Sequence, residues 1–107
     1  MNLEVNQAIK VLHRNPNDKS LWSCHDGKFL WDPPIPNEDG TWTPGAWTPS
    51  VRPDLCFHGY HLTDNPRKWW DKCNLQAYLV EFKGLFHGSF ESASDRKISV
   101  ESCRLLR

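Results

Sequence analysis

The sequence predicts an α+β fold: a small, strongly bent, antiparallel-rich sheet with two short helices and one long loop rich in Trp and Pro. Three observations lead to this prediction. Apolar residues near the start recur at helical spacing, later runs alternate as strands do, and six of the eight prolines fall between Asp32 and Asp54. A chain of 107 residues suffices for one hydrophobic core, so we expect a single domain spanning 1–107.

The first element is predicted to be a helix. Val5, Ala8, Ile9 and Leu12 fall at i, i+3, i+4 and i+7, which places them on one helix face. A turn at 15–18 follows.

The second element is predicted to be a hairpin. The runs SLWSC and KFLW flank Asp26-Gly27, a pair typical of tight turns that need positive φ. Strands are therefore expected near 20–25 and 28–32.

Residues 32–54 form the long loop within the domain. Proline removes a backbone donor and fixes φ, so we expect no regular structure here. Trp42 and Trp47 nevertheless favour an ordered Ω-like loop, because such large rings gain by packing. Whether these two rings are buried or displayed to a partner stays open at the level of sequence.

The C-terminal half supplies most of the predicted sheet. A strand is expected through LCFHGYHL, followed by a short helix PRKWWDK with Pro66 at its first position. LQAYLVEFK is typical of a central strand, LFHGSF of a further one, and KISVESCRLL of a closing strand docked beside the central one.

Composition narrows the function classes. Thirteen basic residues balance thirteen acidic ones, which disfavours nucleic acid and anionic membranes as partners. No run approaches the roughly 20 apolar residues of a membrane span, and the first residues lack the order of a secretory signal, so a cytoplasmic protein is expected. The four cysteines are widely spaced, which favours free, buried thiols over disulfides.

Two clusters carry ligand-type chemistry. Cys56, His58 and His61 are residue types that bind zinc, but their spacing is not that of a paired zinc knuckle and a strand would point His61 away from the others, so no metal site is predicted. Trp69, beside Arg67 and Lys68, is able to stack a nucleotide base, although a one-sided surface helix explains the same residues.

The run GYHLTDNPRKWW followed by LQAYLVEFKG resembles a core segment of ADP-ribosyltransferase-like domains. The resemblance implies a bent sheet that clasps NAD or a related nucleotide. It implies that the SLWSCHDG strand, with Ser23 and His25, contacts the nucleotide, that Tyr60 or His61 lines the nicotinamide pocket, and that Glu101 acts on the ribose.

A second resemblance covers residues 54–107. Cys56, Gly59 and His61 in the order C-x-x-G-x-H, together with the closing RLLR, are similar to small uncharacterised bacterial and phage proteins. That resemblance carries no established activity.

Two functions are therefore predicted, and whether the protein is an enzyme stays open. One is a non-enzymatic, phage-encoded binding protein that acts on a host or defence protein through Trp42 and Trp47, since Trp is enriched in binding hot spots. The alternative is an ADP-ribosyltransferase-like domain that binds NAD, with or without transferase activity, in which His61 and Glu101 are catalytic and Ser23, His25, Gly59, Tyr60 and Trp69 contact the ligand.

Overall fold

The computed structural model describes residues 6–23, 30–53, 59–65, 75–91 and 96–107, with the side chain of Ser23 excepted. The strands in these ranges are β1 Gln7–Arg14, β2 Leu21–Ser23, β3 Leu30–Trp31, β4 Ile35–Pro36, β5 Trp42–Thr43, β6 Tyr60–Thr63, β7 Leu75–His87 and β8 Lys97–Leu105. None of the described ranges contains a helix. The predicted α+β class is therefore wrong, and the described fold is built from strands alone.

Six strands form one antiparallel sheet in the order β3-β2-β1-β6-β8-β7. The sheet closes on itself because β1 also pairs with β7 over seven positions, from Gln7 opposite Glu81 to His13 opposite Leu75. The other edge of β1 meets β6 at Ile9 and then β2 from Leu12 onward. The result is a small barrel in which β1, β6, β8 and β7 follow one another around the wall, a closure that removes open sheet edges.

The first predicted helix is instead strand β1. Its central position explains the error, because a strand with neighbours on both edges and cover on both faces loses the alternation that marks a half-exposed strand. Ala8 and Leu12 are fully buried in the core cluster, and Ile9 and Val11 on the other face are buried too. The apolar residues buried on the two faces of the strand are thus the same ones whose spacing resembles a helix face.

The core lies inside the barrel. Its fully or nearly fully buried members come from every strand of the main sheet, and they are Ala8, Leu12, Leu21, Trp31, Leu62, Val80, Ile98, Val100, Cys103 and Leu105. Cys103 is a free thiol, as expected, and burial raises its pKa to about 12. It therefore stays protonated and serves as an apolar core residue.

Strand β7 contains a bulge where it passes β8. The pairing shifts register between Lys83 and Phe86, and Gly84 adopts φ +81° at this point. The N–H of Leu85 donates to Oε1 of Glu101 at 3.2 Å. A Cβ on residue 84 would lie 2.7 Å from the Glu101 carboxylate, which would have to shift, and the positive φ favours glycine at this position.

The predicted central and closing strands are confirmed as β7 and β8, but the further strand predicted through LFHGSF is instead the end of β7, which runs to His87. β7 and β8 lie side by side, with β7 between β1 and β8. The predicted helix at 66–72 and the start of the predicted strand at 55–58 lie outside the described residues. No helix in the described ranges is long and apolar enough to cross a membrane.

Candidate functional site

The Trp- and Pro-rich segment contains a hairpin that the sequence did not predict. β4 and β5 pair with Ile35 opposite Thr43 and Pro36 opposite Trp42, so the expectation of no regular structure is wrong for residues 35–43. We call residues 35–43 the hairpin. Pro36 is tolerated because this two-stranded ribbon leaves its donor-less side without a partner strand.

A dense set of hydrogen bonds orders the turn of the hairpin. Asn37 N–H donates to the Thr41 carbonyl at 2.8 Å, and Gly40 occupies the left-handed region at φ +88°. The hydroxyl and the N–H of Thr41 both donate to Oδ1 of Asp39, at 2.6 and 3.0 Å. The hydroxyl bond, with the N–H bond second, lowers the pKa of Asp39 below its ordinary value of 3.8. The turn is a three-residue loop with glycine in the left-handed position, a frequent hairpin type.

Large apolar side chains of the hairpin face solvent. Trp42 is 43% exposed and Ile35 is 59% exposed. Cross-strand pairing places Trp42 beside Pro36 on one face of the ribbon, whereas Ile35 alternates to the other face. The hairpin therefore presents apolar surface on an ordered frame.

The next part of the segment, residues 45–51, is docked along β8, and we call it the docked segment. The N–H groups of Gly45, Thr48 and Val51 donate to the carbonyls of residues 105, 103 and 101 at 2.8–3.0 Å. These carbonyls alternate along β8, so the docked segment occupies the edge that β6 vacates after Val100. It extends the sheet without regular strand geometry.

Thr48 fixes the centre of the docked segment. Its hydroxyl accepts from the N–H of Cys103 at 3.0 Å, and its carbonyl accepts from the hydroxyl of Ser102 at 2.6 Å. Nearby, Tyr60 donates its hydroxyl to the Pro49 carbonyl at 2.7 Å. Together with the backbone bond to Cys103, these contacts hold residues 48 and 49 from several directions.

Trp47 is half-buried and lies beneath two cations. Lys83 Nζ is 4.2 Å and Arg104 Cζ is 4.8 Å from the ring centroid of Trp47, both within the range of cation–π attraction. Arg104 also pairs with Glu81, with Nη2 and Oε1 3.1 Å apart. Trp47 thus fastens the docked segment to the outside of β7 and β8.

The predicted nicotinamide residues Tyr60 and His61 are neighbours on β6 and so point to opposite faces. The ring of Tyr60 packs edge-on against Trp31 with centroids 5.6 Å apart, and burial raises the pKa of its phenol. The carbonyl of His61 accepts from Lys10 Nζ at 2.8 Å. Gly59, at φ +88°, has no room for a side chain, because a Cβ there would lie 2.2 Å from Ser99 Oγ.

The two predicted catalytic residues come to adjacent strands. His61 lies opposite Ser99, two residues before Glu101 on β8. The carboxylate of Glu101, however, bonds the bulge of β7 on the other side of β8. Through this contact Glu101 stabilises the bulge of β7.

The described part of the structure does not bring the remaining predicted ligand residues together. Ser23 pairs with Leu12 at the end of β2, while His25 and Trp69 lie outside the described residues. Of the zinc-type residues only His61 is described, and no group of three His, Cys, Asp or Glu side chains gathers within the described ranges.

The sequence contained a signal for the hairpin that our interpretation missed. Asp39-Gly40 is the same kind of turn pair as Asp26-Gly27, but the surrounding prolines outweighed it. The docked segment had no comparable signal, because it depends on the edge of a strand more than 50 residues later in the sequence.

Comparison of the chain with protein-family models, with curated proteins and with solved structures found no significant match. The two resemblances described above therefore stay predictions, and function must be argued from the site itself.

Proposed function

We propose that this protein is a non-enzymatic binding protein and that Trp42 is the centre of its contact with a protein partner. The observation that carries the proposal is a large, 43% exposed indole on a hairpin with a hydrogen-bonded turn. Tryptophan is enriched among the few residues that dominate binding energy. A host or defence protein is the partner that we predict.

The order of the hairpin supports this role. A flexible loop loses conformational entropy when it binds, at a cost of about 0.5–1.5 kcal/mol for each immobilised side chain. The Thr41 hydroxyl donates to Asp39 and the Asn37 amide donates to Thr41, so part of the turn is already ordered in the free protein. Trp42 is thus offered in a set position with Pro36 beside it.

Trp47 has a different role in this proposal. Its ring is covered by Lys83 and Arg104, and the backbone on either side is bonded to β8. We assign Trp47 to anchoring the docked segment, which in turn holds the base of the hairpin. Asp32 contributes to the same base, because its Oδ2 accepts from the N–H of Ala46 at 2.6 Å.

The test compares partner capture by the wild-type protein and Trp42→Ala, followed by affinity measurement with the purified partner. We expect Trp42→Ala to weaken binding about 30-fold or more, the effect of losing a hot spot worth about 2 kcal/mol. Leu85→Ala, at a residue 66% exposed on β7, is the matched control and should bind like the wild type. Melting temperatures verify that both variants are folded.

Equal affinities of the wild type and Trp42→Ala for the captured partner would contradict the proposal. So would a partner that Leu85→Ala loses and Trp42→Ala retains.

The NAD-binding alternative predicts the opposite response of the melting temperature to NAD, so a single titration distinguishes the two functions. Under our proposal, excess NAD leaves the melting temperature unchanged. A ligand bound only by the folded state raises stability by roughly 2.7 kcal/mol at a hundredfold excess over its Kd. A rise of this kind that is lost in His61→Ala and in Glu101→Gln would favour the ADP-ribosyltransferase-like alternative, since Gln at residue 101 keeps an oxygen for the Leu85 N–H.

A further inference from the structure

The interior face of the barrel carries a polar group near one end. Arg14 lies on this face because Leu12, two residues before it, and Leu21, opposite it on β2, both belong to the core. On β7 the same face continues through Gln76, opposite Leu12, and Tyr78, opposite Lys10. Arg14, Gln76 and Tyr78 are therefore neighbours on two paired strands.

Among the residues that the structure describes, none provides Arg14 with the partner that a guanidinium normally has. Its Nε is buried without a hydrogen-bond acceptor, and within the described residues no carboxylate pairs with it. The described ion pairs, Asp64 with Arg96 and Glu81 with Arg104, lie elsewhere. A buried donor with no acceptor costs about 1–3 kcal/mol, so a protein gains by providing one.

The charges on this face have one sign. Arg14 and Lys10 both lie on it, and the described interior positions of the six-stranded sheet contain no Asp or Glu. Lys10 is engaged with the His61 carbonyl and lies 5.6 Å from the Trp31 ring centroid. Arg14 is thus the cation that remains for an external anion.

The neighbours of Arg14 are suited to the same ligand. Tyr78 donates its hydroxyl to Oε1 of Gln76 at 2.7 Å, a bond that orients the amide of Gln76 and leaves its NH₂ group able to donate. The guanidinium is close enough to Tyr78 to counteract, in part, the rise in the Tyr78 pKa that burial causes. Arg14 as a whole is only partly buried, so a solute has access to it through atoms other than the buried Nε.

We propose that Arg14 and Gln76 form a binding site for an oxyanion, that is, a carboxylate or a phosphate group, at this end of the barrel. The planar fork of arginine binds both groups through two parallel hydrogen bonds. This site is separate from the hairpin, and its occupancy does not depend on the function proposed for Trp42.

The experiment titrates the wild-type protein with inorganic phosphate and, separately, with acetate, each against sodium chloride of equal ionic strength. We expect a saturable rise in melting temperature with at least one anion, and the anion that gives it distinguishes phosphate from carboxylate. Arg14→Gln should weaken the anion about 10-fold or more, as expected for the loss of a charge-assisted hydrogen bond.

Two further variants serve as a control and as a second test of the site. Arg52→Gln removes an exposed arginine far along the chain and should leave the anion affinity unchanged. Gln76→Ala retains the guanidinium and should weaken binding by a smaller factor, so it replaces Arg14→Gln if that variant does not fold. The proposal is overturned if neither anion acts beyond the chloride control, or if Arg14→Gln, or Gln76→Ala in its place, responds as the wild type does.

Discussion

The hairpin and the docked segment lie next to each other in the chain and have similar compositions, yet they relate to the barrel in opposite ways. Trp42 in the hairpin is exposed, whereas Trp47 in the docked segment is half-buried beneath Lys83 and Arg104. Hydrogen bonds of the hairpin are mostly internal, while those of the docked segment go mostly to β8. Tryptophan is thus exposed to solvent in the hairpin, whereas in the docked segment it attaches the chain to the barrel.

The docked segment shows how a proline-rich chain can join a sheet. The backbone N–H groups that donate to β8 in this segment are those of Gly45, Thr48 and Val51. Pro44 immediately precedes the first of these donors and Pro49 lies between the second and the third, so the missing N–H groups of these prolines cost no hydrogen bond to β8. The spacing of prolines, rather than their number, decides whether such a segment can pair.

The largest expected effect on stability comes from replacing one glycine in the docked segment, compared with one in the hairpin. A Cβ on residue 45 would lie 2.1 Å from the Asp32 carbonyl oxygen, and only a backbone shift would relieve this overlap. Gly45→Ala should therefore lower the free energy of unfolding by about 3 kcal/mol, the upper range for overpacking. Gly40→Ala meets no atom within 4 Å and strains only its positive φ, so a loss of about 1 kcal/mol is expected. Urea unfolding of the two variants gives both values, and equal losses would refute the distinction.

Next in size is the tryptophan pair. Trp47→Ala removes half-buried ring surface and two cation–π contacts, and we expect the free energy of unfolding to fall by about 2 kcal/mol. Trp42→Ala, at an exposed site, should change it by less than about 0.5 kcal/mol. Thermal and chemical unfolding measure both. If Trp42→Ala proves the more destabilising, Trp42 is a packing residue and the binding proposal loses its basis.

The smallest expected effect is a pH dependence confined to the hairpin. The pKa of Asp39 is lowered in the folded state, so its contribution to the turn is complete above the unfolded value and is lost as pH falls through the lower folded pKa. NMR titration of the Asp39 carboxyl carbon should give a pKa below 3.8, with the Trp42 indole resonance shifting in parallel. Thr41→Val should bring the pKa back toward 3.8. An ordinary pKa for Asp39 in the wild type would show that the turn is not ordered as described.

Part of this fold was predictable from sequence, and the limits have physical causes. β7 and β8 were recognisable because Tyr78, Val80 and Phe82, and Ile98 and Val100, alternate along runs rich in β-forming residues. β1 was mistaken for a helix because Ala8, Ile9, Val11 and Leu12 are buried on both faces, which removes the period of two.

The candidate site was predictable only in its residue types. Trp42 and Trp47 were both selected because large rings suit interfaces, but their different exposure depends on β8, which no local pattern reveals. Likewise, Glu101 was selected as a carboxylate on a late strand, whereas its contact with Leu85 arises from a bulge in β7. The site at Arg14 was not predicted, since the lack of an acceptor for its Nε among the described residues is a property of the folded state.

Closure of the barrel by β1 has a consequence for synthesis in the cell. A nascent chain that has emerged through residue 53 can pair β1 with β2, but β6, β7 and β8 have not yet been made. The edge of β1 that pairs with β7 therefore keeps its backbone N–H and C=O groups unpaired with that strand until β7 has been translated. Folds with pairings between strands distant in sequence form slowly, and until they form they expose unpaired, aggregation-prone strand edges. We therefore expect the barrel to close only after β7 and β8 have been synthesised.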